Sequence, residues 1–437
     1  MSEPATARTS GTRSEPLGRV FHAPQVRLLS ESSSEPITLP AESSDTRPHP
    51  VHADIERAVV TQVHHGPSQV SITFNNQRHE DTRKPRPVAP TWKYNGFDPL
   101  SFGQRILVKF GYAIGTHEGD QASTQEALML RARVTDMQYL FPMEGGSKVT
   151  IKAEDLLSLL KAKPSADEPF RDKDETFMVT NVLSRSQCGL RLASATRDEI
   201  AGTIRRVTHR KSQSYYQFIE ELAKRLDYEI WVDIDTANVM HFEKSRSLTL
   251  DTCLDLVWGR DLIDFKPKFK GWDIHTKATA GGSTTGRRQR IRELVDEERT
   301  KTEISRDLHT AEGGLTPMNA VDARSAFFSG EGVQAVNPLS IDTRNIDRSR
   351  VSLKAIAELR KSARQFLSAD ATVIGTPTLR PGIHVNLQRL NVPFDGIYYV
   401  TRAVHTIDNT GYQTRVSLRR PGMLDPRQYP HRQESQP

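Results

Sequence analysis

Two short stretches of this 437-residue chain combine residue types that could bind phosphate or metal. Residues 281–288, GGSTTGRR, have the glycine spacing of a phosphate-binding loop, but two arginines stand where such a loop needs Lys followed by Ser or Thr. His64 and His65 could suggest a metal, yet consecutive strand residues point to opposite faces and cannot easily bind one ion together. We therefore expect a flexible polar loop and two turn-flanking histidines, with no cofactor and no metal.

His405 is a further candidate for chemistry, because a histidine can act as a general base near neutral pH. Its segment also contains Tyr398 and Tyr399, which favours a hydrogen-bonded structural histidine. The sequence contains no Gly-x-Ser-x-Gly elbow and no His-Glu-x-x-His motif. We therefore predict no catalytic residue and no enzymatic activity.

The composition is typical of a globular protein of two to four modules, with 36% hydrophobic and 26% charged residues. The net charge is +6, and the basic residues are spread along the chain, which argues against a specific nucleic-acid interface. Cys188 and Cys253 lack partners at metal-ligand spacing, so neither a disulfide framework nor a zinc site is indicated. No apolar window of roughly 18 residues and no secretory signal are found, so we expect cytoplasmic synthesis and no membrane span.

Alternating apolar residues predict a mainly β protein. Residues 59–63 and 70–74 alternate on either side of the turn signal Gly66-Pro67, which predicts a hairpin. Short antiparallel strands must hide their edges, and this favours a closed sheet, a barrel or a sandwich. Further strands are predicted at 106–110, 128–134, 149–153, 228–232, 383–387, 397–400 and 415–418.

Helical periodicity interrupts the β pattern in three places. The first helix begins where Ser214 can cap with Gln217, and its apolar face carries Tyr215, Phe218, Ile219, Leu222 and Leu226. The second carries Ile356, Leu359, Ala363, Phe366 and Leu367. A third, short helix is predicted from Arg290 to Arg299.

The C-terminal part of the chain resembles a known family. GTPTLRPG at 375–382 is followed by FDGIYYV at 394–400, by His405 and by GYQT at 411–414. This order and spacing is similar to the C-terminal signature of the phage late control gene D protein family, which is related to the hub part of VgrG spike proteins. The structural signature residues are Gly375, Pro381, Gly382, Gly396, Tyr398, Tyr399, His405, Gly411 and Tyr412.

Other segments extend this resemblance from about Ile55 to Arg420, with gaps. They are KFGY at 109–112, residues 131–137, residues 149–155 and WGRDLIDF at 258–265. Residues 214–242 resemble the helix and hairpin that family members insert between their two barrels. The resemblance implies a mainly β fold with inserted α/β segments, in which two tube-forming antiparallel β-barrel domains carry peripheral helix-containing domains.

The resemblance also implies a structural function: a contractile-tail baseplate hub, of a phage or of a phage-derived injection system, which adapts a hexameric tail tube to a trimeric spike. The implied partners are the chain itself as a homotrimer, the tail tube protein and the spike protein, with the tape-measure and other baseplate proteins as further candidates. Neither a specific nucleic acid nor a direct membrane span is implied. We expect synthesis in the bacterial cytoplasm and assembly into the virion tail or injection-particle baseplate.

Combined with the composition, the resemblance gives a predicted domain organisation. The segments are an extended or disordered N-terminal arm at 1–50, a first tube-type barrel at 51–200, an inserted helix and hairpin at 201–250, the start of a second barrel at 251–280, a polar insertion or surface excursion at 281–350, a helix and the remainder of the second barrel at 351–425, and a tail at 426–437. No long repetitive β region follows residue 422, so we expect the spike to be another polypeptide.

One alternative stays open at the level of sequence. A hub could also degrade peptidoglycan through an unrecognised site in residues 281–350, and release of soluble fragments from cell walls would distinguish it. A nucleic-acid-binding protein is a third hypothesis, for which binding would weaken steeply as salt rises.

Overall fold

The computed structural model describes residues 23–39, 48–77, 92–114, 123–193, 204–271, 274–283, 290–310, 316–327, 338–344 and 348–428. Of the described residues, 46% lie in strands and 21% in helices, which confirms the predicted mainly β class. Among them, a twelve-stranded sheet dominates the fold and is accompanied by five smaller sheets of two or three strands.

The first part of the chain builds one six-stranded module. The strands in this part of the chain are β1 Pro24–Ser30, β2 Thr38–Leu39, β3 His49–Pro50, β4 Ile55–Val63, β5 Gln69–Asn75, β6 Arg105–Ile114, β7 Ser123–Leu140 and β8 Lys148–Glu154. Six of them pair in the order β1-β6-β7-β8-β5-β4, which we call the first module. Its core includes Ile72, Phe74 and Phe110, all fully buried. The predicted hairpin and the three strands after it are confirmed.

A peripheral domain follows, with its own core. It contains a short 3-10 helix at Leu156–Lys161, β9 Glu168–Lys173, α1 Glu175–Ser186, β10 Arg191–Leu192, β11 Ile204–His209, α2 Tyr215–Leu226, β12 Tyr228–Val232 and β13 Val239–Lys244. The capping box of α2 is confirmed: the Ser214 hydroxyl accepts from the Gln217 amide at 3.1 Å, and the Gln217 side chain accepts from the Ser214 amide at 2.9 Å.

The remaining elements form a second six-stranded module with an insertion. They are β14 Cys253–Val257, β15 Leu262–Phe269, β16 Lys277–Ser283, β17 Arg290–Val295, α3 Glu297–Ser305, β18 Met318–Asn319, α4 Ala320–Phe327, β19 Pro338–Arg344, α5 Arg348–Ala363, β20 Leu367–Ile374, β21 His384–Gln388, β22 Gly396–Asp408, β23 Gly411–Arg420 and β24 Gly422–Met423. The second module consists of β14, β15, β20, β21, β22 and β23. Its core surrounds Phe366, Val385 and Tyr398.

The two modules repeat the same construction. Along the chain, β4, β5, β6, β7 and β8 correspond in order to β15, β20, β21, β22 and β23, and the pairing order within each module is the same. The modules differ at one edge, where β1 pairs antiparallel with β6 while β14 pairs parallel with β21.

Irregularities in the strand pairing make this correspondence residue-specific. The β7–β8 pairing has a bulge at Thr135, and the β22–β23 pairing has one at Thr401. Each threonine hydroxyl donates to a carbonyl of the neighbouring strand, to Lys152 at 3.3 Å and to Ser417 at 3.0 Å. The β4–β5 and β15–β20 pairings likewise both shift register near the start of their first strand. Because bulges occupy specific positions in a fold, these matches indicate an internal duplication.

The modules meet edge to edge, so that one sheet runs through both. Strand β22 pairs antiparallel with β4, from Arg402 opposite Val63 to Ile407 opposite Ala58. This junction lets the backbone groups at the edge of each module pair with the other module instead of remaining open.

Two predicted helices need correction. The helix expected from Arg290 to Arg299 is instead strand β17 followed by α3, because Asp296 accepts from the Arg299 amide and caps a helix that begins only at Glu297. The second predicted helix ends at Ala363, so Phe366 lies beyond it and Leu367 opens β20. Both residues are buried in the second core, which explains why they continue the apolar pattern.

The predicted arm and polar insertion also differ from expectation where they are described. Pro24–Ser30 pairs within the chain's own sheet, because Val26 and Leu28 bury one face of this strand. In the insertion, β16 pairs with β17 and β19, and α5 packs on this sheet through a small apolar core. The described part of residues 281–350 is therefore folded: its strands share the small core with α5, while Ile304 of α3 and Val321 of α4 are buried in the core of the second module.

Candidate functional site

The signature residues lie where the two modules meet. Tyr412 packs edge-on to Phe110 of the first module, with ring centroids 5.7 Å apart, and lies 5.6 Å from the Tyr112 ring. The Tyr112 hydroxyl donates to the Gly375 carbonyl at 2.8 Å. A side chain at Gly375 would collide with the Tyr412 ring, since an added Cβ would lie 2.1 Å from its Cγ. Glycine is therefore required there by close packing.

His405 is fully buried beside Tyr412 and within hydrogen-bonding distance of three groups. Its Nε2 donates to the Leu379 carbonyl at 3.0 Å, and Nδ1 lies 2.8 Å from the Tyr412 hydroxyl and 3.1 Å from the Thr414 hydroxyl. Burial lowers the pKa of His405 to about 3, so the imidazole is neutral at ordinary pH. Without access to solvent, this histidine acts as a connecting group.

Three further signature glycines lie at turns or close approaches. Gly382 has φ +87°, and its Cβ would meet the His64 ring at 2.4 Å. Gly396 has φ +119° at the start of β22, and Gly411 has φ +121° in the turn between β22 and β23. These backbone conformations favour glycine. Pro381 immediately precedes Gly382 and leads into β21.

The adjacent signature residues Tyr398 and Tyr399 contact different partners. Tyr398 is buried in the second core, where its hydroxyl donates to the Phe394 carbonyl and the Arg420 guanidinium lies 4.5 Å from its ring. Tyr399 instead donates to the Glu229 carboxylate of the peripheral domain at 2.6 Å. The Tyr399 side chain thus ties the second module to the peripheral domain.

Glu229 is the centre of a buried cluster that joins three parts of the chain. His64 at the end of β4 donates to it at 3.1 Å, Arg419 of β23 donates at 3.2 Å, and Ser245 donates at 2.8 Å. Burial opposes ionisation of Glu229, but the hydrogen bonds and positive charges of His64 and Arg419 hold its pKa well below its usual range. We call these residues, with Tyr399, the Glu229 cluster.

A second charged network joins α5 to the peripheral domain. Arg364 is 5% exposed and donates to Asp307 at 2.7 Å and to Asp227. Arg360, one turn earlier, donates to Glu303 at 2.6 Å. Buried charges that are paired in this way specify how the elements dock, because removing one partner leaves the other unpaired.

A cavity of about 260 Å³ lies beside the Glu229 cluster, between both modules and the peripheral domain. Several of its polar lining groups already bind each other: Arg131 donates to the Ile234 carbonyl at 2.7 Å, and His241 contacts Asp233 and Glu243. In the described part of the chain, no three His, Cys, Asp or Glu side chains are grouped to hold a metal ion. Over the same residues, no helix is sufficiently long and apolar to cross a membrane.

The other sequence-predicted positions lie apart from this junction. Gly281 and Gly282 lie within strand β16, and residues 284–289 of the same loop lie outside the described ranges. His65 follows β4 at φ +72°, so of the two neighbouring histidines only His64 joins the Glu229 cluster. Cys188 and Cys253 are not joined by a disulfide.

Sequence reasoning missed Glu229, Arg419 and Arg364 as junction residues. An acidic residue inside the strand 228–232, and arginines next to apolar runs, were the available signals. The contacts of Arg364 with Asp307 and Asp227, and of Arg419 with Glu229, span 57 or more positions in sequence, which no local pattern reports.

Besides β1 and β14, which each pair with a single neighbour, two further stretches of the sheet have an open edge and matter for assembly. Among the described strands, β15 pairs only with β20 along Asp264–Phe269, and Asp136–Leu140 of β7 pairs only with β8. Leu140 and Phe141 beside the second edge are 57% and 52% exposed. Unpaired edges and exposed apolar side chains are features of docking surfaces.

Comparison with solved structures identifies the fold as one found in phage tail proteins. A tail protein from Neisseria meningitidis MC58 superposes with a TM-score of 0.58 at 9% identity, covering 91% of this chain and 97% of that one. The 43 kDa tail protein of prophage MuSo2 from Shewanella oneidensis superposes with a TM-score of 0.56 at 12% identity, covering 92% and 100%. At these identities the similarity is one of fold, and it agrees with the family resemblance seen in the sequence.

A more distant similarity is to the E. coli c3393 protein, described as a type VI secretion component similar to T4 tail proteins gp27 and gp5. Its TM-score is 0.47 at 9% identity, covering 84% of this chain and 73% of that one. No family model and no curated protein sequence matches the chain.

Substituting Gly375→Ala is predicted to destabilise the module junction by at least about 2 kcal/mol, because the new methyl group must displace the buried Tyr412 ring. Urea denaturation measures the loss. Gly96→Ala is the matched control, since an added Cβ at exposed Gly96 meets nothing within 4 Å. In a Tyr412→Ala background, Gly375→Ala should lower the free energy of unfolding much less, because the ring is gone. An equal loss in that background would contradict the collision between the new methyl group and the Tyr412 ring.

The low pKa of His405 predicts a specific effect on the pH dependence of stability. Between about pH 3 and 6.5 the unfolded chain binds a proton that the folded chain excludes, so this residue makes stability fall as pH falls. His405→Gln should reduce the slope of unfolding free energy against pH by up to about 1.4 kcal/mol per unit. Denaturation at a series of pH values provides the measurement.

Asp155 supplies a control of opposite sign. Burial raises its pKa to about 7 despite two backbone amides that donate to it, so the folded chain holds a proton that the unfolded chain releases above about pH 4. Asp155→Asn should therefore make the slope of stability against pH more positive between about pH 4 and 7. If His405→Gln and Asp155→Asn changed the slope of unfolding free energy against pH in the same direction, the opposite pKa shifts assigned to His405 and Asp155 would be contradicted.

Proposed function

We propose that the chain is a non-enzymatic hub subunit of a contractile-tail baseplate, in a phage or a phage-derived injection particle. Three copies would form a ring that joins a six-fold tail tube to a three-fold spike, with other baseplate proteins and the tape-measure protein as further partners. The proposal is supported by the similarity in fold to two phage tail proteins and by the signature at the module junction.

The internal duplication is the observation that carries this proposal. Each chain presents two modules with matching strand order and matching bulges, so three copies in a ring present six similar modules. A six-fold tube could dock on them with each of its subunits meeting nearly the same surface. The duplicated part of the chain thus supplies the six-fold side of the adaptor.

The unduplicated parts supply the three-fold side. The peripheral domain and the insertion between β15 and β20 occur once per chain, so a trimer carries three of each. The buried Glu229 cluster fixes the peripheral domain to the second module, and the Arg364 network fixes the insertion to the peripheral domain. A rigid arrangement of this kind suits an adaptor, because the two symmetries must keep a fixed relation.

The spike is expected to be a separate polypeptide, and the location of the assembled protein is the particle baseplate. The trimeric surface formed by the unduplicated units is the candidate spike-binding side. No residue of the described junction is needed as a catalyst in this function.

Native mass spectrometry of the purified chain is predicted to give a trimer, alone or after addition of the tail tube and spike proteins of the same particle. Light scattering provides an independent mass. A spike protein should bind with one spike trimer per hub trimer, because the three-fold side is formed by the whole ring. A stable monomer that binds neither tube nor spike would contradict the proposal.

A further inference from the structure

The internal duplication contains information about how two copies of the chain would meet. Within one chain, β4 of the first module pairs with β22 of the second. The equivalents of these strands are β15 and β7, and each of these carries an open edge at the matching place. The same contact can therefore form again between β15 of one copy and β7 of the next.

From this equivalence we propose that β15 of each copy pairs antiparallel with Asp136–Leu140 of β7 in a neighbouring copy. The inference deepens the proposed function, on which it rests for the identity of the partner as a second copy. Each copy offers one edge of each kind, so the contact is head to tail and closes into a ring when the rotation allows.

The bulges fix the register of this contact. Thr135 corresponds to Thr401, and the register shift at Glu56 in β4 corresponds to the one at Ile263 in β15. Within the chain, Val60 of β4 lies opposite His405 of β22. The residues equivalent to these two are Pro267 and Tyr139, so Pro267 should lie opposite Tyr139 in the contact between copies. The transferred pairs are Asp136 with Lys270, Met137 with Phe269, Gln138 with Lys268, Tyr139 with Pro267, Leu140 with Lys266 and Phe141 with Phe265.

On the core-facing side, the transferred register places apolar groups opposite each other. Met137 and Tyr139 pack against the first core, and Phe265 and Phe269 pack against the second. Met137 would therefore meet Phe269 across the contact, so that both cores become continuous. Aromatic and aliphatic pairs across strands typically contribute about 0.2–1 kcal/mol each.

On the opposite side, the transferred register pairs complementary polar groups. Asp136 lies opposite Lys270, and Gln138 lies opposite Lys268. The aliphatic stem of Lys266 can cover Leu140, which is 57% exposed in the single chain. A slip of one residue would exchange the faces and set lysines against apolar groups, so the side chains themselves specify this register.

Strand β15 also carries protection against wrong pairing. Lys266, Pro267 and Lys268 are exposed along it, and lysine and proline are the residues with which natural sheets shield an edge. Such an edge accepts only a partner with compensating groups. The segment of β7 from Asp136 to Leu140 supplies a carboxylate and an amide at the matching positions.

Cysteine crosslinking tests the register directly. The double variant Leu140→Cys with Lys266→Cys, made in a Cys253→Ser background, places two thiols opposite each other across the contact. Both positions are exposed, and Cys188 is buried, so the substitutions leave the cores intact. Opposite residues have Cβ atoms about 4.5–5.5 Å apart, which is close to disulfide geometry, whereas diagonal neighbours are about 7–8 Å apart.

The expected result under mild oxidation is a covalent trimer on a denaturing gel. The matched control, Leu140→Cys with Lys268→Cys, tests a slip of two residues and should crosslink at least about tenfold more slowly. Either single variant should give no covalent trimer. A native trimer in which the control crosslinks as fast as the main variant would overturn the register while leaving the proposed trimer intact, and a native monomer would overturn both.

A charge exchange gives a second measurement that needs no disulfide. Asp136→Lys and Lys270→Asp should each weaken assembly, because like charges then face each other, and the double variant should restore it. The midpoint concentration of trimer formation, measured by light scattering, should rise several-fold in each single variant. Failure of the double variant to recover would contradict the opposition of these two residues.

Discussion

The antiparallel pairing between β4 and β22 is the contact on which the architecture depends. It joins two six-stranded modules into one sheet, and it brings the ends of β4 and β22 next to the peripheral domain. Without this pairing, each module would expose another row of backbone donors and acceptors. The signature residues Gly375 and Tyr412 lie against Tyr112 at this same junction, so their close packing serves the pairing of the modules.

Buried polar groups then determine how the unduplicated units sit on the sheet. Glu229 receives hydrogen bonds from His64, Tyr399 and Arg419, which belong to different parts of the chain. A carboxylate removed from water is stable only when its lone pairs are satisfied, so these contacts form together or not at all. Arg364 repeats this arrangement with Asp227 and Asp307. Such networks favour one docking geometry over others, which suits the proposed adaptor between two symmetries.

Local patterns predicted much of the secondary structure, and failed where tertiary contacts decide. The alternation at 59–63 and the capping box at Ser214 report local preferences, and both are confirmed. Leu367 was assigned to a helix because burial in the second core continues the apolar pattern past the helix end. The family resemblance implies two barrel domains, but their residue-by-residue correspondence is recognised only from strand pairing, since equivalent residues such as Met137 and Ala403 differ in type. The Glu229 cluster depends on contacts between distant segments, which no periodicity reports.

In the proposed ring, the duplicated modules are joined alternately within and between chains and form a continuous wall. Electron cryomicroscopy of the purified assembly, viewed along its symmetry axis, tests this arrangement most directly. The expected image is a closed ring with six similar wall segments around an opening and three larger peripheral masses, one for each chain. Three separate lobes with gaps between β15 of one copy and β7 of the next would contradict it.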